Sequence, residues 1–386
     1  FHPDIPCDKN ETGSNKQISK LIFSEDKQTL IQLIKKEMEM NKQIQNIQRH
    51  EDWSIVFTKD CPSPKKETII ENHDFTGGLQ CFTHEKEGLY SHMMIGKYGG
   101  KTMASQLMDL EYSLQKYNVS EQALFLKTSF LKIMRMMKPL FHGIIQMKKH
   151  VISHNDIKPD NIITHNNVFK YIDFGLSLPS NKYHSFKNRS LSEYNRKYRR
   201  IYTYYPLDYV YYFLNDRELQ EEYDLIQKLS RENYDEMNES HKNLASSIKR
   251  YEMIHDTNII NHYTDFLQRK DKLTEKIVVQ GIDVYSLGIC IPSLLLDLFN
   301  ERIINQMNNI KCIHEFMGLF KQMIQPDSRY RITIETADNL FNKLLQKYSK
   351  NTQSIVLNRP LKRHTPKHSK KSKHSKKSKH SKRSKH

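Results

Sequence analysis

The first hundred residues place apolar residues in short runs separated by turn signals, a pattern typical of β-strands. Glycine pairs at 77–78 and 99–100 provide most of the turn signals. One helical stretch lies between the first two runs. The pattern therefore predicts a small α+β unit, with strands at 18–23, 55–57 and 89–95.

The helical stretch of this unit places a carboxylate in its apolar stripe. Spacings of three and four residues align Glu37 with apolar neighbours and leave Glu39 off the stripe. A carboxylate on a buried stripe costs free energy unless it finds a cation, and strand alternation places Lys20 on an apolar face nearby. The sequence thus predicts a Lys20–Glu37 pair; the alternative is two separate surface charges. The stripe contains Leu30, Leu33, Glu37, Met40, Ile44 and Ile47.

From residue 102 onward the apolar spacing is mainly helical, with an interruption at 153–180 that is crowded with His, Asn and Asp. The stretch 214–276 is strongly charged and has few large apolar runs. We expect it to be a helical insertion on the surface, most simply a solvated hairpin without chemistry. The predicted organisation is an N-terminal unit at 1–100, a helical unit at 101–350 and a tail at 351–386.

The basic residues are unevenly distributed along the chain. Its 386 residues include 61 Lys/Arg and 44 Asp/Glu, a formal net charge of +17. Thirteen of the basic residues and none of the acidic ones lie in 359–386, so the remainder carries only +4. The charge therefore indicates a basic tail, and any inference from it to nucleic-acid binding concerns that tail alone.

The tail repeats Lys-His-Ser-Lys-Lys-Ser from Lys367 and Lys373 and ends on a variant of the same hexad. The repeat has no apolar residues to bury, so it is predicted to be disordered. Non-specific nucleic-acid contact through 359–386 and a targeting signal both stay open as interpretations. Metal binding by the recurring histidines is a weaker one, because the flanking cations repel a metal ion.

Cysteine usage and hydropathy predict an intracellular protein without a membrane segment. The longest apolar stretch, 284–299, contains a proline and an aspartate and is too short to span a bilayer, so a buried core helix is expected. The five cysteines are scattered and odd in number, which favours a reducing compartment. They are Cys7, Cys61, Cys81, Cys290 and Cys312.

Two short motifs contain the strongest chemical signal. Residues 154–161, here the HND loop, read His-Asn-Asp-Ile-Lys-Pro-Asp-Asn, and residues 173–175, the DFG loop, read Asp-Phe-Gly. A general base, a cation, a metal-binding amide and a metal-binding carboxylate thus lie close together in sequence, which is the set that phosphoryl transfer needs. The order and spacing resemble those of the eukaryotic-type protein kinases, whose loops read H-R-D-x-K-x-x-N and D-F-G.

The resemblance implies a role for each residue. Asp156 would orient the substrate hydroxyl and accept its proton, and Lys158 would neutralise the transferred phosphate. Asn161 and Asp173 would hold Mg²⁺, and His154 would brace the HND loop near Asp173. The implied cofactors are ATP and Mg²⁺, with catalytic residues Asp156, Lys158 and Asn161 and cofactor-binding residues Lys20, Glu37, Asp173 and Gly175.

One position inside the motif departs from the family. Asn155 stands where the kinases usually have an arginine that pairs with a phosphorylated activation loop. Its absence removes that charge-based switch. We therefore expect activity that does not depend on phosphorylation of the loop.

Two later segments are similar to family landmarks. Residues 281–288 resemble the start of the family's buried central helix, where Asp283 would accept hydrogen bonds from the HND-loop backbone. Arg331 matches the arginine that pairs with the glutamate of the A-P-E motif. Leu207 stands in place of that glutamate, so we expect Asp208 to take over its pairing with Arg331. The alternative is two unrelated surface charges.

In the N-terminal unit the strand at 18–23 is similar to the family's V-A-I-K strand. Lys20 and Glu37 would then form the pair that cradles the α- and β-phosphates. The glycine-rich phosphate loop is not found upstream of Lys20. Because the chain starts at Phe1, we expect a truncation just after that loop; the alternative is a protein that never had it. The connection between the lobes is expected at 94–100.

The sequence as a whole favours a bilobal protein-kinase-like α+β fold, with a small β-rich N-lobe and a large helical C-lobe, and a serine/threonine kinase acting on protein substrates. Composition and several local features also look similar to kinase-like proteins of large nucleocytoplasmic DNA viruses. Three alternatives stay open: a pseudokinase scaffold, a small-molecule phosphotransferase of the aminoglycoside or choline kinase type, and a nucleic-acid-tethered structural protein.

Overall fold

The computed structural model describes residues 2–3, 17–62, 90–190 and 201–356. The chain divides into two units, residues 1–348 and 349–386. The predicted tail repeat and the expected truncation after a phosphate loop concern residues outside the described ranges. The described strands are β1 His2–Pro3, β2 Gln17–Ser24, β3 Phe57–Pro62, β4 Tyr90–Lys97, β5 Ile152–Ser153, β6 Ile162–His165, β7 Val168–Tyr171 and β8 Leu178–Pro179.

Helices make up most of the described chain, so the structure is of the α+β class, as predicted. The helices are α1 Lys27–Gln45, α2 Met103–Leu114, α3 Val119–Lys149, α4 Tyr183–Ser190, α5 Leu207–Tyr212, α6 Asp216–Leu229, α7 Glu239–His255, α8 Ile259–Arg269, α9 Glu275–Gln280, α10 Ile282–Leu298, α11 Glu301–Asn308, α12 Lys311–Met323 and α13 Ile334–Val356. Short 3₁₀ turns lie between several of them, including Pro159–Asn161 and Phe174–Leu176.

An antiparallel sheet in the order β1-β2-β4-β3 forms the N-terminal part. Strands β2 and β4 fall where the apolar runs predicted them, and Lys20 pairs with Met94 across the two strands. Strand β3 begins at Phe57 and extends to Pro62, further along the chain than expected. Ser54, just before it, is engaged in a bridge to Tyr171. The segment that leads into β3 is therefore bonded directly to the end of β7.

Helix α1 begins where Asp26 caps it, because the Asp26 side chain accepts a hydrogen bond of 2.6 Å from Thr29 N. Its buried face contains Glu37, as predicted. Leu33 is wrongly placed on that face by the sequence pattern, since 47% of it is exposed. Ile34 takes its position, because a step of four residues from Leu30 follows the helical repeat more closely than a step of three.

The connection from the sheet to the helices is shorter than predicted. Strand β4 continues to Lys97, so only 98–102 link it to α2, and the expected start of the connection at residue 94 is wrong. Gly100 adopts a φ of +92°, and a Cβ there would lie 2.4 Å from Thr164 O. Next to it, Thr164 N donates to Lys101 O at 2.7 Å. The connection is thereby fixed against β6.

The main core lies among the helices, around α3 and α10, and continues under the strands β5 to β7. Helix α10 is buried along most of its length. Among the described residues, one stretch, Glu275–Leu298, is long and apolar enough to cross a membrane, but 83% of its apolar window is buried inside the protein. This matches the expectation of a core helix.

The stretch 214–276 is not the solvated hairpin that its charge suggested. It forms three helices, α6 to α8, each of which buries an apolar face in a second core. That core also includes residues of the 201–213 segment and of α9. The apolar face was not recognised in the sequence, because its residues recur about one helical turn apart with charged and polar residues between them. They include Leu219, Ile226, Leu229, Ile248, Tyr251, Ile259, Tyr263 and Phe266.

The cysteines depart in part from the expectation of a reduced chain. Cys61 in β3 is disulfide-bonded. Cys290 and Cys312 are free thiols buried among the helices, and burial raises the pKa of both. Neither of these two lies next to another cysteine in sequence.

Candidate active site

A buried aspartate holds the start of the HND loop. Asp283 Oδ2 accepts hydrogen bonds from Ser153 Oγ at 3.0 Å and from His154 N at 2.8 Å, and Oδ1 accepts one from Asn155 N at 2.9 Å. The carboxylate thus finds the donors that a buried charge requires. The prediction that Asp283 accepts bonds from the HND-loop backbone is confirmed.

His154 joins the HND loop to the residues before the DFG loop. The side chain is fully buried, and its Nε2 donates to Ile172 O at 3.1 Å. The ring also packs against Phe174, with 4.9 Å between the ring centroids. In return, Ile172 N donates to Asn161 O at 3.0 Å. Asn161 is therefore held beside Ile172, the residue that precedes Asp173.

The polar side chains of the HND loop converge on Asp156, which is buried. Asn161 Nδ2 donates to Asp156 Oδ2 at 2.8 Å and to Asp156 O at 2.9 Å. Lys158 Nζ lies 3.1 Å from Asp156 Oδ2. The Pro159–Asn161 turn returns the chain so that Asn161 can reach back over five residues. The loop therefore presents a carboxylate, an amide and an ammonium group together.

Lys20 lies between two carboxylates from distant parts of the chain. Its Nζ donates to the two Glu37 oxygens at 2.8 and 2.9 Å and to Asp173 Oδ1 at 2.7 Å. The predicted Lys20–Glu37 pair is confirmed. Asp173 lies two residues after the end of β7, and it reaches this pair with a left-handed backbone of φ +62°. The N-terminal sheet, α1 and the DFG loop thus meet at one ammonium group.

Charge imbalance at this cluster affects the pKa of two of its groups. Burial alone would lower the pKa of Lys20, but the charges of Asp173 and Glu37 outweigh it and raise that pKa. Burial raises the pKa of Glu37; the attraction of Lys20 opposes this rise, and the repulsion of Asp173 adds to it. The Lys20 shift thus comes from two carboxylates beside one cation, and the Glu37 shift comes first from burial. The cluster has a net charge of −1 and would accept another cation.

Gly175 allows the DFG loop to approach α1. A Cβ atom at this residue would lie 2.5 Å from Glu37 Oε2 and 3.0 Å from Glu37 Cδ. Any larger residue must push the carboxylate away from Lys20. The resemblance assigned Gly175 to cofactor binding, which stays a prediction; what the structure shows is its close contact with the Glu37 carboxylate.

The predicted pair of Asp208 and Arg331 is wrong. Asp208 instead forms a two-pronged ion pair with Arg269, both N–O distances being 2.9 Å. Arg331 donates to three backbone carbonyls, those of Gly281, Gln325 and Pro326. The guanidinium of Arg269, in the 214–276 stretch, therefore takes the place next to Asp208 that the motif resemblance had assigned to Arg331.

Sequence reasoning missed two residues that bear on the HND loop. Tyr205 OH donates to Asn155 O at 2.8 Å, and Arg269 pairs with Asp208 three residues after that tyrosine. Asn155 has a left-handed backbone with φ +58°, which asparagine tolerates better than most residues. No local sequence pattern predicts these two contacts, because the partners are separated by 50 and 61 residues.

The donor atoms suit a magnesium ion. Asn161 makes both its bonds to Asp156 through Nδ2, which leaves the amide oxygen as a ligand, and Asp173 bonds Lys20 through Oδ1, which leaves Oδ2. Mg²⁺ takes hard oxygen ligands, commonly one or two from protein and the others from phosphate and water. In the described part of the chain no three His, Cys, Asp or Glu residues converge as a closed metal site. An open, two-ligand site is what the residues fit.

The cluster as a whole can bind polyanions with their metal and orient a hydroxyl group. Lys20 and Lys158 supply positive charge, Asp173 and Asn161 supply metal ligands, and Asp156 supplies a fixed carboxylate acceptor. These groups come from three segments of the chain: β2, the HND loop and the DFG loop. Lys20 bonds to Asp173, and Ile172, the residue before Asp173, bonds to Asn161.

No family model matches the sequence, and no curated protein matches it.

Proposed function

We propose that the chain is a serine/threonine protein kinase with the bilobal kinase fold, which transfers the γ-phosphate of Mg-ATP to protein hydroxyl groups. One observation supports this most: Lys20 contacts Glu37 and Asp173 at once. A lysine on a strand, a glutamate on a helix and the aspartate of the DFG loop are the groups that must assemble for this chemistry. Their residues lie as far apart as 153 positions, so local composition does not explain the contact.

Binding of the nucleotide would use the cluster around Lys20. The ammonium group would contact the phosphates while Glu37 holds its position from α1. Asn161 and Asp173 would hold Mg²⁺, which supplies charge neutralisation on the phosphate oxygens. Only 19% of the Lys20 side chain is exposed, so its interaction with a phosphate is stronger than it would be in water.

Transfer would use the HND loop. Asp156 accepts a hydrogen bond from the substrate hydroxyl and takes its proton as the oxygen attacks. Lys158 beside it stabilises the charge on the group in transfer. Asn161 holds the Asp156 carboxylate in place through its Nδ2, so the acceptor is oriented before the substrate arrives. A serine or threonine hydroxyl is the expected acceptor, because Lys158 follows Asp156 by two positions as in that class of kinases.

The pseudokinase and small-molecule alternatives make different predictions for one variant. In the kinase, Asp173→Asn should abolish magnesium-dependent turnover of ATP on a protein acceptor while the fold is kept, because the substitution removes a metal ligand. Asp160→Asn is the matched control, since Asp160 is exposed in the same region. Turnover that survives in Asp173→Asn would refute the assignment. Transfer to a small alcohol alone would favour the small-molecule class, and binding without transfer would favour the scaffold.

A further inference from the structure

Asp208 joins three segments of the chain at one buried carboxylate. It lies in the first turn of α5 and is fully buried. Arg269 Nη1 and Nη2 donate to its two oxygens at 2.9 Å each. Ser328 adds two more bonds to Oδ2, from N at 2.8 Å and from Oγ at 2.7 Å. Four donors therefore compensate the charge, two from α8 and two from the loop before α13.

Arg269 is itself held rigidly. Only 6% of it is exposed, and its Nη2 also donates to His262 Nε2 at 3.1 Å. Its guanidinium lies 5.6 Å from the Phe266 ring centroid and 3.4 Å from Asp327 Oδ1. A planar, two-pronged arginine contact fixes orientation as well as distance, which a lysine cannot do. The Arg269–Asp208 pair is therefore a buried ion pair of fixed geometry and not a mobile surface pair.

The anchored segment reaches the HND loop within a few residues. Tyr205, three positions before Asp208, donates from its hydroxyl to Asn155 O at 2.8 Å. Tyr204 O accepts a bond of 2.7 Å from Ser286 Oγ on α10. Asn155 immediately precedes Asp156. The bonds therefore run from Arg269 through the 204–208 segment to the peptide that orients the acceptor carboxylate.

We infer that Arg269 is a positioning residue for phosphotransfer, so that the 214–276 helices orient the HND loop through Asp208 and Tyr205. The inference rests on the proposed function. The cation that fixes the segment after the DFG loop is then Arg269, which belongs to the chain and is always present. A phosphate would not be needed at that place, in keeping with the Asn155 departure from the family.

Kinetics separate positioning from general stability. Arg269→Gln should lower kcat about 100-fold, the size expected when an acceptor is misplaced by about 1 Å. The KM for Mg-ATP should stay within about twofold, because the Lys20 cluster is untouched. Arg269→Lys should recover part of kcat, since it keeps the charge but not the fork. Arg217→Gln, a change at an exposed ion pair of the same helices, should leave both constants unchanged.

Amide hydrogen exchange tests the same link without any activity. In full-length Arg269→Gln, exchange should rise at 204–212 and at 153–156 but not in α1; the milder Arg269→Lys should show a smaller rise at the same places. Arg217→Gln should show neither. The inference is overturned if kcat is unaffected, if kcat and the KM for ATP worsen together, or if faster exchange is confined to α8. A wild-type chain without phosphotransfer would refute the proposed function, and the exchange pattern would still decide whether Arg269 controls the loop.

Discussion

The backbone of Gly175 packs directly against the carboxylate of Glu37, so closely that a Cβ at residue 175 would lie 2.5 Å from Glu37 Oε2. Glu37 cannot retreat without leaving Lys20, to which it is bonded at 2.8 and 2.9 Å. Helix α1 and the DFG loop are therefore coupled by contact as well as by charge. A substitution at either residue should therefore alter the contact between Glu37 and Lys20.

Gly175→Ala tests this coupling. The added methyl group should displace Glu37 from Lys20 and lower kcat/KM for Mg-ATP by about 10- to 100-fold, that is about 1.4 to 2.7 kcal/mol of transition-state stabilisation. Steady-state kinetics with a protein acceptor would measure this. The fold should persist, because the contact is with a side chain that can move and not with backbone.

Gly318→Ala is the matched control for that variant. Gly318 lies inside α12 with nothing within 4 Å of a Cβ placed there. Alanine should raise the free energy of unfolding by about 0.5–1 kcal/mol through helix propensity and leave the kinetics unchanged. Equal kinetic losses in the two variants would show that Gly175 has no special contact with the site.

Val151 is strained just before the HND loop. It adopts a left-handed backbone with φ +59°, which is an outlier for a β-branched residue, and 41% of it is exposed. Val151→Gly should relieve the strain and raise the free energy of unfolding by about 1 kcal/mol, measured by urea denaturation. Val119→Gly, at an exposed position that starts α3, should give no such gain. A loss of stability in Val151→Gly would contradict the assignment of strain.

Much of the site could be predicted from sequence because its residues are set by local spacing. Asp156, Asn161 and Asp173 lie in short motifs, and the Lys20–Glu37 pair followed from two periodicities and the cost of burying a charge. The structure brings all of them together. The contacts that these residues make with distant segments could not be predicted from sequence, because they depend on the three-dimensional fold.

The failures have physical reasons. Leu33 and Ile34 both fit a helical stripe, and only packing decides which of the two is buried. The predicted Asp208–Arg331 pair was wrong because the partner of a carboxylate depends on which cation lies near it in the folded chain. Arg269 lies near Asp208 because of how the helices of 214–276 pack, and no local sequence pattern predicts that packing. The burial of an apolar face in 214–276 was missed for the same reason. Whether a helix face is buried depends on the elements that pack against it, and the charge of the stretch does not show this.

Two buried histidines should make stability depend on pH. Burial lowers the pKa of His255 to about 3 and that of His262 to about 4. The neighbouring Arg331 adds to the shift of both, and Asp208 opposes that of His262. In the unfolded chain the pKa is about 6.5, so below that pH the unfolded state binds protons that the folded state refuses.

The contribution of each histidine is therefore full above pH 6.5 and is lost as the pH falls toward its folded pKa. Between pH 6.5 and 5 the free energy of unfolding should drop by about 2 kcal/mol per histidine. His255→Gln should remove about one such share from the drop, as followed by urea denaturation at pH 7 and pH 5. His314→Gln, at an exposed position, should not. An unchanged pH dependence in His255→Gln would contradict the prediction.

The central claim is that Asp156 accepts the proton in transfer of the γ-phosphate from Mg-ATP to a serine or threonine hydroxyl. The most direct measurement is incorporation of labelled γ-phosphate into a basic protein acceptor and into the chain itself, followed by phosphoamino-acid analysis. The wild type and Asp160→Asn should label serine or threonine, and Asp156→Asn should lose at least about 100-fold of the rate while remaining folded. Equal labelling by Asp156→Asn, or none by the folded wild type, would contradict the account.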